Sequence, residues 1–167
     1  LGRDSEGFLI DVTSKTSVQE TVGSILERFG RIDILVNNAG CNWAAPAEDY
    51  PDAAWRKVMN LNLDAAFFLS REVARRSMIP RGGGKIVNIA SIAGIENVFF
   101  PNVALNYATS KGSVMRLTRI CAKQLAPHGI NVNAIAPGFV PTDLFRSNRT
   151  PEEAERFIEE ETRQTPL

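Results

Sequence analysis

The run Asn106-Tyr107-Ala108-Thr109-Ser110-Lys111 sets a phenol and an ammonium four residues apart at the start of an apolar-periodic segment. In a helix, positions i and i+4 are neighbours one turn apart, so Tyr107 and Lys111 share a face. A free tyrosine titrates near pH ~10 and exchanges protons poorly at neutral pH. A lysine charge about 5 Å away, at an effective dielectric of about 20, favours the phenolate by roughly 3 kcal/mol, or about two pKa units. That shift makes Tyr107 a usable acid/base. Read alone, the same spacing also describes a solvated surface helix, so the surrounding elements have to decide.

Those elements alternate strand and helix. Residues 8–10 form a short apolar run that predicts a strand ending at Asp11-Val12-Thr13. The next segment predicts a helix: Ser17 with Glu20 makes a capping-box pattern, Val18, Val22, Ile25, Leu26 and Phe29 share a face, and Gly30 sits at the C-terminal cap position. Residues 32–36 read as a buried strand that breaks into Asn37-Asn38-Ala39-Gly40. A long helix over 53–76 carries Trp55, Val58, Ala65, Ala66, Leu69 and Val73 on one stripe, with Asn62 inside it. A buried amide without partners costs about 1–3 kcal/mol, so Asn62 must bond a water, a backbone group or a functional neighbour.

Residues 80–84 are a turn-rich connector whose glycines fit neither a P-loop nor a dinucleotide fingerprint. Residues 85–90 predict the next strand, which ends at Ser91, and 106–125 predict the helix bearing Tyr107 and Lys111. His128 reads as a solvated group near the negative end of that helix. A strand over 130–136 stops at Pro137-Gly138. Thr150, Pro151 and Glu153 then start a last helix whose narrow stripe of Ala154, Phe157 and Ile158 suggests a loosely held flap over 139–165. The β–turn–α–β rhythm predicts an α/β fold with a parallel sheet. In such sheets ligands bind beyond the carboxyl ends of the strands, and Asp11, Asn37, Ser91 and Pro137-Gly138 all fall at such ends.

Composition narrows the partners. The 167 residues suit one domain or part of one, and 19 basic residues balance 19 acidic ones. Arg71, Arg75 and Arg76 are the tightest basic cluster and have no interleaved aromatics, which argues against nucleic acid and anionic membrane as partners. Cys41 and Cys121 give neither a disulfide framework nor metal-ligand spacing, as expected for a reducing cytoplasm. No apolar run approaches the ~20 residues of a membrane span. The start, Leu1-Gly2-Arg3-Asp4, has no signal-peptide core and no initiator methionine, as in a piece of a longer or processed chain.

Taken together, NNAG at 37–40, Asn62 seven residues after Trp55, Ser91 after KIVNIA, YATSK at 107–111 and PGFVPT at 137–142 resemble the short-chain dehydrogenase/reductase family over nearly the whole chain. The resemblance implies a doubly wound, Rossmann-type parallel sheet and an oxidoreductase that interconverts a secondary alcohol and a ketone with NAD or NADP. By the same resemblance Tyr107 is the acid/base and Ser91 holds the substrate oxygen. Lys111 lowers the phenol's pKa and bonds the nicotinamide ribose, and Asn62 holds a water behind Lys111. Asp11 and Val12 would meet the adenine, Asn37 and Gly40 the adenosine side, and Pro137, Gly138, Val140 and Thr142 the nicotinamide end. A homodimer or homotetramer paired through 53–76 and 106–125 is implied by analogy. Trp43, Phe99, Phe100, Phe139, Leu144 and Phe145 are candidate walls of a substrate pocket, which leaves sugar-acid or polyol oxidation and 3-oxoacyl reduction both open.

Two departures stand out. Ser91 and Tyr107 lie further apart than the family's commoner spacing, which predicts an insertion within 95–104. The family's first βαβ, with its glycine-rich phosphate turn and cofactor-selecting residues, has no counterpart here, so 1–167 reads as a partial domain. In the strand order of the doubly wound fold, the strand at 8–10 would then lack a neighbour and the strand at 32–36 would present a hydrophobic edge. The 167 residues alone are therefore not expected to make a competent enzyme. The rival reading is a cofactor-binding or scaffold fragment without catalysis.

Overall fold

Three short β-branched runs pair as a parallel sheet: β1 (Ile34–Asn37), β2 (Gly84–Ile89) and β3 (Ile130–Ile135), in the order β1-β2-β3. The computed structural model describes residues 5–95, 105–140 and 150–164. The chain divides into two compact units, Leu1–Ala136 and Pro137–Leu167. Parallel neighbours cannot be joined by hairpins, and here the crossovers are helical. β1 leads through α2 (Asp52–Met59) and α3 (Ala65–Val73) to β2, and β2 leads through α4 (Leu105–Leu125) to β3. α1 (Lys15–Phe29) precedes the sheet.

The register sets Leu35 opposite Ile86 opposite Val132. Because side chains alternate along a strand, these three share a face, and that face is the buried one. Ile86 and Val132 join Val18 and Val22 of α1 and Val73, Ala74 and Met78 in the core. The opposite face carries Ile34, Val36 and Ile135, which are 62%, 53% and 54% exposed. Parallel sheets are ordinarily covered on both faces; among the described residues, helices cover one. Among the described residues β1 is an edge strand, as expected for 32–36, and its Ile34 and Val36 are exposed on the uncovered face.

The local detail corrects the sequence reading in three places. Residues 8–10 are not a strand. A strand exists only as part of a ladder, and no described strand runs beside them. They lie along α1 instead, with Thr21 Oγ1 donating to the Leu9 carbonyl at 3.5 Å and Phe8 edge-on to Phe29 at 6.3 Å. The N-cap of α1 is Ser14, whose side chain accepts from Ser17 N–H. Ser17 sits one turn inside and accepts from Asp11 N–H at 2.9 Å, so the expected Ser17/Glu20 capping box does not form and Ser14 caps the helix by itself. The helix over 53–76 is interrupted by π-helical turns at Asn60–Asp64 and Ala74–Met78.

The second unit contains α5 (Pro151–Gln164). Its start is a reciprocal capping box: Glu153 N–H donates to Thr150 Oγ1 at 3.3 Å, and Thr150 N–H donates to Glu153 Oε2 at 2.9 Å. Phe139 stands edge-on to Phe157 with centroids 5.8 Å apart.

Candidate active site

The end of β2 and the first turns of α4 meet at Lys111. Its side chain donates from Nζ to the Ile89 carbonyl at 2.7 Å, and Nζ lies 5.6 Å from the centre of the Tyr107 ring. Lys111 is 5% exposed and Tyr107 half-buried. Burial pulls the Lys111 ammonium below its ordinary 10.5, because leaving water penalises the charged form, while Cys41 acts in the opposite sense. The i, i+4 geometry anticipated from sequence is thus fixed at one end by a strand carbonyl, which a surface helix would not supply.

Two glycines permit this proximity. A Cβ on Gly94 would fall 2.5 Å from Gly112 N and 2.6 Å from the Lys111 carbonyl carbon. The turn Ile92–Gly94 therefore packs directly on the α4 backbone beside Lys111. Ser91 precedes that turn and caps it, its Oγ accepting from Ala93 N–H at 3.2 Å.

Asn62 lies in the first π-turn and is 2% exposed. Its Oδ1 accepts from Cys41 N–H at 2.9 Å, and its Nδ2 donates to the Cys41 carbonyl and to Ser110 Oγ, each at 3.0 Å. Of the alternatives open in the sequence, the side chain takes a backbone group and a neighbouring hydroxyl. Gly40 closes over both groups: a Cβ there would sit 3.3 Å from Asn62 Oδ1 and 3.7 Å from Lys111 Nζ.

Asn37 has a structural engagement. Its Nδ2 donates to Ser70 Oγ and Asn88 Oδ1 at 2.8 Å each, and Asn88 Nδ2 donates to Thr118 Oγ1 at 2.9 Å. The side chain thus stitches β1 to β2 and α3 on the covered face of the sheet. Asn37 also lines, with Ile10, Val12, Asn38 and Ala39, a largely apolar cavity of about 230 Å³. Asp11 is exposed; its Oδ1 accepts from Thr13 N–H and Oγ1, bonds that hold the carboxyl below its usual range.

The first unit therefore gathers Gly40, Asn62, Tyr107 and Lys111, with Ser91 held through its turn. Pro137, Gly138 and Val140 belong to the second unit. Thr142 lies outside the described residues, as do Phe99, Phe100, Leu144, Phe145 and most of the segment expected to hold an insertion. Ser110, Gly94, Gly112 and Asn88 were not singled out from sequence. Ser110 had a signal, since it extends the buried stripe of Val114 and Thr118 back by one turn. Among the described residues no helix is long and apolar enough to cross a membrane, and no group of three or more His, Cys, Asp and Glu could hold a metal.

Comparison with known proteins bears on this arrangement. The family model described as short chain dehydrogenase matches residues 1–153. A 2-dehydro-3-deoxy-D-gluconate 5-dehydrogenase of Pseudoalteromonas atlantica is 38% identical over 157 residues, covering 93% of this chain and 59% of that protein. The crystal structure of an NAD+-bound xylitol dehydrogenase superposes with a TM-score of 0.77 at 42% identity, covering 83% of this chain and 53% of the other. A gluconate 5-dehydrogenase from Burkholderia cenocepacia, in complex with NADP and tartrate, gives a TM-score of 0.77 at 35% identity, with coverages of 89% and 57%. The chain thus spans less than two thirds of the length of each of these relatives.

Proposed function

The chain belongs to the short-chain dehydrogenase family, and from that premise we propose that it interconverts a secondary alcohol and a ketone with NAD or NADP, Tyr107 serving as the acid/base. The observation that carries this reading is the Lys111 ammonium, tied to the Ile89 carbonyl and set 5.6 Å from the Tyr107 ring.

The residues present fit such a cofactor. The cavity of about 230 Å³ beside Val12 and Asn37 has a largely apolar lining with Asn37, Asn38, Asn62 and Asn88 as its polar groups, and the absence of a side chain at Gly40 keeps bulk away from Lys111 Nζ. Val12, Asp11, Asn37 and Gly40 of the first unit would hold the adenosine side and Lys111 the nicotinamide ribose; a role for Pro137, Gly138, Val140 and Thr142 at the nicotinamide end is what the family resemblance implies. When bound, the nicotinamide accepts or donates the hydride.

The chain's own groups manage the proton. In the oxidative direction the alcohol O–H proton passes to the Tyr107 side-chain oxygen as the carbon loses its hydride; in reduction the Tyr107 hydroxyl returns it to the carbonyl oxygen. Ser91 Oγ holds that oxygen, and a donor within about 3 Å with a pKa near the working pH is what such a transfer needs. Asn62 would support a water behind Lys111 that refills the proton. Sugar acids and polyols are the substrate class we favour, since the named relatives act on gluconates and xylitol. Pairing of subunits through the helical segments 53–76 and 106–125 completes the proposal.

The test is cofactor reduction by the intact protein over a panel of polyols, sugar acids and 3-oxoacyl thioesters, the last assayed in reverse. Tyr107→Phe should lower turnover by about 10²–10⁴-fold while cofactor binding persists. Unchanged turnover in that variant removes Tyr107 from the chemistry, and wild-type protein inert toward the whole panel favours the non-catalytic reading.

A further inference from the structure

Ser110 is fully buried, at 0% exposure, between the helix that carries Tyr107 and the π-turn that carries Asn62. Its Oγ donates to the Tyr107 carbonyl at 2.8 Å and accepts from Asn62 Nδ2 at 3.0 Å. Asn62 in turn pairs with both peptide groups of Cys41. One directed chain of hydrogen bonds therefore runs from the Cys41 loop through Asn62 and Ser110 to the backbone of Tyr107.

We propose that Ser110 is a positioning residue for the Tyr107–Lys111 pair: its hydroxyl couples the first turn of α4 to Asn62 and the Cys41 loop, and so fixes the phenol and ammonium against the end of β2. The role rests on the function proposed above and extends it to a residue that touches no substrate. The argument is one of connectivity. On α4, Ser110 lies three residues after Tyr107 and directly before Lys111, and Gly40, next to Cys41, packs over Lys111 Nζ. Lys111 is anchored to β2 by its own bond to Ile89. Among the described residues, Tyr107's turn has two ties to other elements: the buried Asn106 beside it donates from Nδ2 to the Ala54 carbonyl of α2 at 3.2 Å, and Asn62 Nδ2 donates to Ser110 Oγ, the tie that leads to the Cys41 loop and the cover of Lys111. Hydrogen bonds in such a chain polarise one another in a low-dielectric interior, and deleting the middle member loosens both ends.

Ser110→Ala in the intact protein tests this. It should lower kcat about tenfold or more, leave KM for the alcohol within about twofold, and move the pH at which kcat/KM falls to half its plateau. A second Ser110→Ala measurement, made in an Asn62→Ala background, should show a smaller loss than in wild type, because both changes cut the same chain. A Ser110→Ala enzyme with wild-type kcat and pH profile but a lower melting temperature overturns the role, and so do fully additive losses in the double variant. Tyr107→Phe is assayed alongside. Turnover that persists there refutes the parent reading whatever Ser110 does, whereas loss of turnover there with an unaffected Ser110→Ala refutes only the inference about Ser110.

Discussion

Asn62 and Cys41 bind each other reciprocally, the Asn62 amide accepting from the Cys41 N–H at 2.9 Å and donating to the Cys41 carbonyl at 3.0 Å. A side-chain amide thereby stands in for a neighbouring strand and gives irregular backbone the two hydrogen bonds it would otherwise lack. The loop after β1 is held over Lys111 by this pair, and the π-turn at Asn60–Asp64 places Asn62 where it can reach.

Asn62→Ala should destabilise the protein by about 1–3 kcal/mol, since it leaves Cys41 N–H and C=O without their partner and removes the bond that Ser110 Oγ accepts. Denaturant unfolding measures the loss. Faster amide hydrogen exchange at Cys41, with exchange in β3 changed only by the global amount, would locate it in the loop.

Lys111 makes stability depend on pH in a definite direction. Its folded pKa is below 10.5, so between that value and 10.5 the unfolded chain holds a proton that the folded chain has released. Stability rises with pH wherever the unfolded state binds more protons. The unfolding free energy of wild type minus that of Lys111→Met should therefore climb as pH rises through this window. A flat or falling difference would show that burial does not penalise the ammonium.

Gly94 and Gly112 should respond unequally to alanine. At Gly94 the new Cβ would lie 2.5 Å from backbone nitrogen, and at Gly112 it would meet the Gly94 carbonyl oxygen at 3.1 Å. Gly94→Ala has to push the Ser91 turn off α4, at about 1–3 kcal/mol, with loss of turnover. Gly112→Ala is offset by the roughly 1 kcal/mol that alanine gains over glycine within a helix. Melting temperatures and kcat of the two variants, compared side by side, check the order.

Thr118→Val removes the acceptor of Asn88 Nδ2 at a site 5% exposed. A cost of about 1–3 kcal/mol is expected, and Thr118→Ser, which keeps the hydroxyl, should recover most of it. Equal midpoints for Val and Ser in chemical unfolding would mean that the Asn37–Asn88–Thr118 seam carries no net stability.

Much of the scaffold was legible because its signals are local. Apolar runs marked β1, β2 and β3 to within two residues at either end, Gly30 closed α1, and Thr150 with Glu153 started α5 as their spacing indicated. The strand at 8–10 failed for a non-local reason. Its composition suits a strand, but its ladder partner has to come from elsewhere in the chain. The cap of α1 is Ser14 and not Ser17 because the Ser17 hydroxyl is taken up by Asp11 N–H, a contact that the S-x-x-E pattern at 17–20 does not encode.

The site divides along the same line. Tyr107 and Lys111 were readable because helical periodicity alone puts them on one face, and Asn62 because a polar residue in an apolar stripe needs a partner. The identity of the partners was a tertiary matter. That Lys111 would meet Ile89 O, that Asn62 would grip Cys41 and Ser110, and that Asn37 would turn to Ser70 and Asn88 depend on how β1, β2 and two helices pack. Hydrogen bonds are satisfied by whatever the fold brings within about 3 Å, and that proximity joins residues 21 to 51 positions apart through geometry that no local pattern encodes.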